Sequence, residues 1–424
     1  MIETQPRPER AFLLGVLLPR TEPAALEAQM QELRELASTA GAEVVGTDVQ
    51  RRTEIDSALF VGRGKVADLR DQRVDVGYDV LICNEDLSPR QQRNLERELE
   101  TRVLDRTEVI LDIFAQHART REGRLQVEAA RLHHWLPRLV GAYDVNRQMG
   151  GIGGRGGPGE QQIEIERRRV RRRLRDLESE LEQVRTQRDQ QRAERRGSDL
   201  VTVAIVGYTN AGKSTLLNAL TNAGVRAEDQ LFATLDPTTR RYRLPSGREL
   251  LLSDTVGFIQ KLPTDLIAAF RSTLEEVTYA DVVLEVIDAT APAALEQADT
   301  VDRVLEDLQA GDTPRVVALN KIDRLDPAAR RRGLDRMSRR YRTVVPISAL
   351  RGTGLEELGE ALAGAGSGDL VPMELLVPYG RERVLAELHR EGVVDETRYT
   401  ERGTRARGRA PRQAVHRFQP YFVG

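Results

Sequence analysis

The chain has 424 residues, of which 40% are hydrophobic and 31% are charged, with a formal net charge of −2. At roughly 150 residues per domain, this length predicts two to four domains. The single cysteine, Cys83, excludes an intramolecular disulfide and a multi-cysteine zinc site, and its apolar surroundings predict a buried strand residue. No apolar run approaches the ~18 residues of a membrane span, and the first residues lack the apolar core of a signal peptide. These features predict a cytoplasmic protein.

The basic side chains are almost all arginine. Of 64 lysines and arginines, the lysines are only Lys65, Lys213, Lys261 and Lys321. Because lysine and arginine are not interchangeable at specific sites, chemistry that needs a lysine must use one of these four positions.

The first part of the chain, residues 1–115, alternates apolar strand-like runs with charged helical stretches. The strand-like runs are 12–18, 43–49 and 79–83, and the helical stretches are 23–40 and 88–100, with Ser88 as the cap of the second. This alternation predicts a small, mostly parallel α/β domain.

A short glycine-containing segment, Gly62, Arg63, Gly64 and Lys65, precedes a helix within this domain. It could hold an anion on its backbone amides, as a second nucleotide site or an rRNA contact. The segment is too short to be specific for a ligand, and a tight turn is the alternative that we favour.

Residues 116–197 predict a helical arm. The stretch 112–138 reads as one long helix and is followed by the glycine-dense segment 150–159, which is either a flexible connector or a functional loop. A heptad pattern then follows at Ile163, Val170, Leu174, Leu177, Leu181 and Val184. Because the glycine-dense segment connects the two helices, we expect them to pack as an antiparallel pair. Arginines crowd residues 167–175 of the second helix, as a solvated face or as a contact for a phosphate backbone.

Residues 367–424 predict a small α+β domain with a strand at 371–377, a helix at 381–390 and two further short strands. Arginine is frequent at 397–417, which is either a disordered basic tail or part of an ordered end closed by Tyr421 and Phe422.

The strongest motif lies between them, in residues 198–366. The strand-like run 200–206 leads into Gly207 to Ser214, which fits Gly-x4-Gly-Lys-Ser, and a helix follows. This strand–loop–helix context is that of a P-loop. We expect its amides to cradle phosphates, Lys213 to bridge the terminal phosphates and Ser214 to bind Mg²⁺.

Three further motifs distinguish GTP from ATP, and each follows a predicted strand. Asp254 begins Asp-Thr-Val-Gly, in which Gly257 offers an amide to the γ-phosphate. Asn320 begins Asn-Lys-Ile-Asp, in which Asp323 would accept hydrogen bonds from guanine and Lys321 would pack on the base. Ser348 begins Ser-Ala-Leu. Four motifs at successive strand ends predict a doubly wound, Ras-like fold.

Two positions near the phosphates bear on hydrolysis. Phe258 stands directly after the Asp-x-x-Gly motif, where Ras-like enzymes place the glutamine that orients the attacking water. Because phenylalanine cannot bond water, we expect slow intrinsic hydrolysis that a partner or a cation accelerates. Asn210 could hold K⁺ beside the phosphates. Switch I lies within 232–239, where Thr234, Thr238 and Thr239 could each bind Mg²⁺.

Together these motifs resemble the HflX family of ribosome-associated GTPases over nearly the whole chain. The resemblance extends beyond the GTPase motifs to 60–65, 103–107, 118–123 and 153–160, and to the hydrophobic residue at 258. It implies that Thr234 is the switch I magnesium ligand and that 232–236 closes on the nucleotide. It also implies that the first domain and the arm dock on the large ribosomal subunit. The GTP-bound factor would split ribosomes, and hydrolysis would release it.

The expected site residues follow from the motifs and the resemblance. Those for GTP are Gly207, Tyr208, Thr209, Asn210, Ala211, Gly212, Lys213, Ser214, Phe232, Ala233, Thr234, Leu235, Asp236, Asp254, Thr255, Val256, Gly257, Asn320, Lys321, Ile322, Asp323, Ser348, Ala349 and Leu350. Within this set Lys213, Asp254, Gly257 and Asn210 are expected to serve catalysis, and Ser214 and Thr234 to bind Mg²⁺. Candidate rRNA contacts are Arg155, Arg167, Arg168, Arg171 and Arg172.

Two other functions remain open from the sequence. One is a slowly hydrolysing GTP switch in ribosome assembly, and the other is an ATP-dependent rRNA-remodelling factor acting through the first domain, where some family members are said to hydrolyse ATP. We expect a monomer with no DNA partner.

Overall fold

A computed structural model describes residues 7–141, 158–195, 200–221, 231–232, 234–235, 238–260, 271–366, 370–411 and 415–423. The chain divides into two compact units. One contains Met1–Asp189, Asp229–Asp236 and Gln260–Ser272, and the other contains Gln190–Glu228, Pro237–Ile259 and Thr273–Gly424. Among the described residues, no helix has the length and apolar character needed to cross a membrane.

The first unit begins with a four-stranded parallel sheet flanked by helices. Its elements are β1 (Arg10–Leu17), α1 (Pro23–Thr39), β2 (Glu43–Arg51), α2 (Arg63–Val76), β3 (Val80–Cys83), α3 (Pro89–Leu99) and β4 (Arg102–Leu104). The strand order is β2-β1-β3-β4, and all pairs are parallel. This confirms the predicted α/β fold, to which the structure adds β4. Cys83 is fully buried in β3, and this burial raises the pKa of its thiol.

Side-chain caps mark the start of two helices of this unit, α3 and α4. Ser88 caps α3 through a reciprocal capping box with Gln91, as the sequence predicted. Asp105 forms the same kind of box with Glu108 at the start of α4 (Arg106–His117). Arg138 donates a hydrogen bond to Asp105 from the following helix. The motif around Asp105 therefore organises the junction between these helices.

The prediction of one continuous helix over 112–138 is wrong, because the first helix ends at His117. Ala118 has an extended backbone with ψ 100°, and α5 (Arg121–Gly141) begins three residues later. The Thr120 hydroxyl accepts a hydrogen bond of 2.9 Å from the Gly123 amide, which caps the new helix. The hydroxyl cap of Thr120 thus marks the start of a second helix.

The arm consists of α5 and α6 (Pro158–Arg195), and four of the heptad residues, Val170, Leu174, Leu177 and Leu181, pack in its seam. Val170, Leu174 and Leu177 are buried against Leu125 and Ala129 of α5. Charged pairs flank the seam: Arg173 makes two hydrogen bonds to Glu128, and Arg121 lies 2.9 Å from Glu180. Since residues 121 and 128 pair with 180 and 173 respectively, the helices run antiparallel, as predicted.

The second unit contains a six-stranded sheet with helices on both faces. Its elements are β5 (Val201–Gly207), α7 (Lys213–Thr221), β6 (Thr238–Arg243), β7 (Glu249–Asp254), α8 (Arg271–Thr278), β8 (Val282–Asp288), α9 (Ala294–Asp307), β9 (Arg315–Asn320), α10 (Pro327–Ser338), β10 (Val344–Pro346) and α11 (Leu355–Gly366). The strand order is β10-β9-β8-β5-β7-β6, in which only β6 is antiparallel. This is the predicted doubly wound fold.

The C-terminal part forms a three-stranded antiparallel sheet with one packed helix. Its elements are β11 (Leu370–Val377), α12 (Glu382–Glu391), β12 (Val393–Thr400), β13 (Gly403–Pro411) and the short α13 (Val415–Phe418), with strand order β11-β13-β12. Residues 397–411 of the arginine-rich segment therefore form the end of β12, a turn and β13, not a disordered tail. Two of its arginines pair with acids on neighbouring strands, Arg405 with Glu374 and Arg409 with Asp395.

Candidate nucleotide-binding site

The carboxyl ends of five parallel strands carry the polar groups of the candidate site. The strands end at Gly207, Asp254, Asp288, Asn320 and Pro346. Since parallel strands end at one edge of a sheet, the motifs that follow them are brought together there. This edge is the usual ligand position in a doubly wound fold.

The P-loop connects β5 to α7 and wraps around the Lys213 side chain. Gly207 has φ 146°, and an added Cβ would lie 2.3 Å from the Val286 carbonyl oxygen, so only glycine fits. Lys213 Nζ donates to the carbonyl oxygens of Gly207 at 3.1 Å and Tyr208 at 2.9 Å. Burial lowers the pKa of Lys213 to about 8, and the nearby Asp254 carboxylate opposes this shift. The ammonium group is therefore held in place before any phosphate arrives.

A hydroxyl and a carboxylate meet beside the P-loop. Ser214 Oγ donates a 2.8 Å hydrogen bond to Asp254 Oδ2, and Asp254 is fully buried. Hard oxygen donors of this kind fit Mg²⁺. Of the three threonines left open in switch I, Thr238 and Thr239 lie in β6, where the Thr239 hydroxyl bonds Ser253 at 2.9 Å.

The start of switch II is bonded directly to the P-loop. The Thr209 amide donates to the Phe258 carbonyl at 2.7 Å, and the Phe258 amide donates to the Gly207 carbonyl at 3.1 Å. The Phe258 side chain is only 1% exposed. At Gly257 an added Cβ would lie 2.8 Å from Thr209 Cγ2 and 3.0 Å from Lys213 Nζ. The backbone of Gly257 therefore lies close to the P-loop at the phosphate end of the site. Position 258 contributes no polar side chain there, because Phe258 is apolar and buried.

The other two residues of the Asp-Thr-Val-Gly motif are also buried. The Thr255 hydroxyl donates to the Ile205 carbonyl at 2.7 Å, and Val256 is 6% exposed. The Thr255 hydroxyl therefore holds the loop to the sheet, and the burial of both side chains leaves backbone groups as their contribution to a ligand.

The guanine-reading motifs are bonded to each other and to the P-loop. Asn320 Nδ2 donates to the Ala211 carbonyl at 2.9 Å, and its Oδ1 accepts from the Ala349 amide at 3.0 Å. The Ser348 hydroxyl donates to Asp323 at 2.6 Å and holds the pKa of that carboxyl below its usual range. Asp323 is therefore a charged acceptor, as recognition of guanine requires.

The remaining residues of these motifs differ in exposure. Ile322 is 2% exposed and packs into the domain, whereas Leu350 is 75% exposed. Lys321 has φ 64°, and its Nζ donates to the Asn210 carbonyl at 2.8 Å and pairs with Asp288 Oδ2 at 2.8 Å. Sequence reasoning missed Asp288, although it ends a buried strand just as Asp254 and Asn320 do.

The described switch I residues pack within the first unit. Phe232 is 2% exposed, and its ring lies edge-on to Phe114 of α4 with centroids 4.7 Å apart. Leu235 is also buried, and Thr234 is partly buried. Phe114 was not identified from the sequence. The predicted site residues Ala233 and Asp236 lie outside the described residues, as does Lys261.

The glycine-containing segment of the first domain is bonded within the domain. Gly62 is the residue before α2, and its amide donates to Gln50 at 2.9 Å. Arg63 and Gly64 lie in the first turn of α2. Lys65 Nζ lies 2.9 Å from Asp48 and 3.7 Å from Asp68, which raises the lysine pKa. These contacts favour the tight-turn interpretation over an anion-binding loop.

The candidate rRNA-contacting arginines lie on α6, except Arg155, which is outside the described residues. Arg167 and Arg168 both pair with Glu164, at 3.3 Å and 3.2 Å, and Arg168 remains 73% exposed. Arg171 and Arg172 are exposed. The exposed arginines of α6 therefore form a basic surface on the side of the helix that faces away from the seam.

Comparisons with known families cover most of the chain. Residues 27–115 match the profile described as GTP-binding GTPase N-terminal, and residues 117–195 match GTP-binding GTPase Middle Region. Residues 202–321 match the profile described as 50S ribosome-binding GTPase.

Known relatives extend this match to the whole length. The GTPase HflX of Caldanaerobacter subterraneus subsp. tengcongensis is 44% identical over 98% of this chain and 94% of that protein. The GTPase HflX of Escherichia coli is 44% identical over 88% of each chain. Among solved structures, the SsGBP–GDP complex aligns with a TM-score of 0.48 and 26% identity, over 84% of this chain and 98% of that one.

The doubly wound sheet and the four motifs at its carboxyl edge define a P-loop GTPase, an enzyme that binds and hydrolyses GTP. A sequence identity of 44% with GTPase HflX over nearly the full length identifies the family within this class. The chain belongs to the HflX family of GTPases.

Proposed function

We propose that this GTPase binds the large ribosomal subunit in its GTP-bound form and splits stalled or idle ribosomes into subunits. Hydrolysis of GTP then permits its release. The match to a 50S ribosome-binding GTPase profile supports the partner, and the exposed arginines of the arm support contact with rRNA. Splitting itself rests on the resemblance of the whole chain to HflX proteins.

The buried Phe258 is the observation that carries this proposal. In Ras-like GTPases the residue after Asp-x-x-Gly orients the attacking water, and here that side chain is buried and apolar. An enzyme built this way hydrolyses GTP slowly alone and fast when a partner completes the site. Such timing suits a factor whose release must wait until it has acted on the ribosome.

We propose specific roles for the residues around the phosphates. Ser214 and Thr234 bind Mg²⁺, with Asp254 reaching it through water, and the ion neutralises charge on the phosphates when bound. Lys213 holds the terminal phosphates, and the Gly257 amide meets the γ-phosphate. Asn210 contributes to a K⁺ site, and equal turnover in potassium and sodium would remove that last assignment.

The remaining parts of the chain receive supporting roles in the same proposal. We assign rRNA docking to the first domain (1–115) and the arm (116–197), GTP chemistry to residues 198–366 and an accessory role to residues 367–424. The protein acts as a cytoplasmic monomer without a DNA partner.

The test measures GTPase and ATPase rates with and without isolated large subunits, and follows subunit dissociation by light scattering. We expect strong stimulation of GTPase by large subunits and dissociation of monosomes with GTP. The Lys213→Ala variant should lose both effects, because it lacks the phosphate clamp. Stimulation by large subunits without splitting would favour the GTP switch in ribosome assembly. Unstimulated GTPase with intact monosomes would contradict the proposal.

The ATP-dependent alternative makes a separate prediction. If Lys65→Ala removed an ATPase and left the GTPase unchanged, the first domain would carry a second nucleotide site. The pairing of Lys65 with Asp48 and Asp68 disfavours this outcome.

A further inference from the structure

Asp288 lies at the carboxyl edge of the sheet, outside all four nucleotide motifs. It is the last residue of β8, the strand between β5 and β9, and it pairs in register with Asn320. The Ala289 amide donates to the Asn320 carbonyl at 2.9 Å. The backbone of this strand end is therefore fixed against the start of the guanine-reading loop.

Both carboxylate oxygens of Asp288 are engaged. Oδ1 accepts two hydrogen bonds from Thr290, at 2.8 Å from its amide and 2.6 Å from its hydroxyl. Oδ2 lies 2.8 Å from Lys321 Nζ, in a pair whose side chains are 16% and 18% exposed. Thr290 thus orients the carboxylate, and the carboxylate in turn holds the lysine.

The same ammonium group also donates to the carbonyl oxygen of Asn210 in the P-loop, at 2.8 Å. Lys321 therefore spans from its own loop to the P-loop with its end fixed at two points. A lysine side chain has four rotatable bonds, so a stem that was not held in place would have to be ordered when a base binds. A stem that is already extended presents its methylene groups as one wall of the base pocket.

We propose that Asp288 is a positioning residue for the guanine pocket, acting through Lys321 and not through contact with the nucleotide. This inference rests on the proposed use of Lys321 in packing on the base. Because the base is common to GDP and GTP, Asp288 must affect both nucleotides equally. Because Asp288 contacts Thr290 and Lys321, neither of which is assigned to the γ-phosphate, we expect it to leave the rate of the chemical step unchanged.

The test uses the full chain with Asp288→Asn and fluorescent GDP and GTP analogues. We expect both nucleotides to dissociate about tenfold faster, the size expected for one charge-assisted hydrogen bond. The KM for GTP should rise by a similar factor while kcat stays the same. Asp335→Asn removes an exposed acid from α10 of the same unit and should change none of these values.

Two further variants distinguish positioning from a general effect on stability. Thr290→Val keeps the charge but removes one bond that orients it, so dissociation should accelerate less than in Asp288→Asn. Lys321→Met keeps the stem and removes the ammonium, so adding Asp288→Asn to it should have no further effect. If Asp288→Asn does not fold, the Thr290→Val result decides alone.

Several results would overturn the inference. The first is an unchanged rate of nucleotide dissociation in Asp288→Asn, or in Thr290→Val if Asp288→Asn does not fold. The second is weaker binding of GTP alone, or a lower kcat without weaker binding. The third is an additional loss of affinity when Asp288→Asn is combined with Lys321→Met. The inference would then fail while wild-type binding of GTP remained intact. Failure of the proposed nucleotide site itself would show differently, as wild-type protein that does not bind guanine nucleotides.

Discussion

Burial of Lys213 makes nucleotide binding depend on pH. Its pKa is lowered to about 8 because the ammonium group is desolvated in the P-loop. Phosphate groups favour the charged form, so binding must restore a proton to the fraction of lysine that has lost it. The contribution of Lys213 to affinity is then independent of pH well below 8 and falls as the pH rises above 8.

Calorimetry of GDP binding at pH 8 in two buffers of different ionisation enthalpy measures this proton. We expect net uptake of a fraction of a proton at pH 8, and this uptake should decrease as the pH is lowered. Equal binding enthalpies in both buffers at pH 8 would contradict the assignment.

In the absence of nucleotide, the effect of this lysine on the free energy of unfolding has the opposite dependence on pH. Between about 8 and the usual lysine pKa the unfolded chain binds more protons, so this residue's contribution to stability rises with pH.

At the scale of single residues, the site motifs could be predicted because their chemistry is local. Lys213, Asp323 and Ser214 stand at fixed spacings that identify their roles without a fold. Asp288 could not be assigned in this way, because its partner Lys321 lies in the loop after another strand and no spacing links them. Phe114 is similar, since its contact with Phe232 joins distant parts of the sequence.

The arm helices illustrate what a sequence pattern predicts for one element. The heptad repeat correctly placed Leu174 and Leu177 in the seam, since a 3.5-residue period puts those side chains on one face. The break between α4 and α5 was missed because helical propensity is continuous across 112–138. The Thr120 cap was the available signal.

The seam gives a stability prediction for this element. Leu177 is fully buried between the two helices, so Leu177→Ala should lower stability by about 2–5 kcal/mol through lost contacts and a cavity. Ile165 lies on the same helix but is 61% exposed, and Ile165→Ala should change stability by less than about 0.5 kcal/mol. Urea unfolding followed by the fluorescence of Trp135, the single tryptophan and a residue of α5, reports on the arm. Equal effects of the two variants would show that the seam does not stabilise the arm.

Strand β8 contains a buried acidic residue that the sequence pattern of the strand does not explain. Glu285 is fully buried in the middle of a strand whose other residues, apart from the terminal Asp288, are apolar, and this burial raises its pKa to about 7. Arg315 of β9 lies 3.2 Å away and also pairs with Asp302. The acid is tolerated because the neighbouring strand supplies its cation.

For the whole molecule, the overall charge conceals how charge is distributed. A net charge of −2 coexists with an arm whose outer surface carries exposed arginines. In the proposed function these side chains bind rRNA phosphates, whose contribution depends on salt.

Replacing Arg168, Arg171 and Arg172 by alanine tests this surface. Basal GTPase should be unchanged, because these residues lie outside the nucleotide site. Affinity for isolated large subunits should fall, and the slope of log affinity against log salt should decrease by about 2 to 3 for three lost phosphate contacts. Replacing three arginines of α10, Arg331, Arg332 and Arg336, controls for the change in total charge. Wild-type affinity and salt dependence in the arm variant would place the ribosome contact elsewhere.

The sequence by itself determined the fold class, the family and the residues of the four nucleotide motifs, because each depends on short patterns of strand, turn and helix. It also singled out Lys213 and Lys321 by the scarcity of lysine. Only the tertiary structure decided what surrounds those residues: the burial that lowers the pKa of Lys213, the backbone bonds between Phe258 and the P-loop, and the pairing of Asp288 with Lys321. The physical reason is that desolvation and cross-strand contacts join residues distant along the chain, which no local spacing encodes.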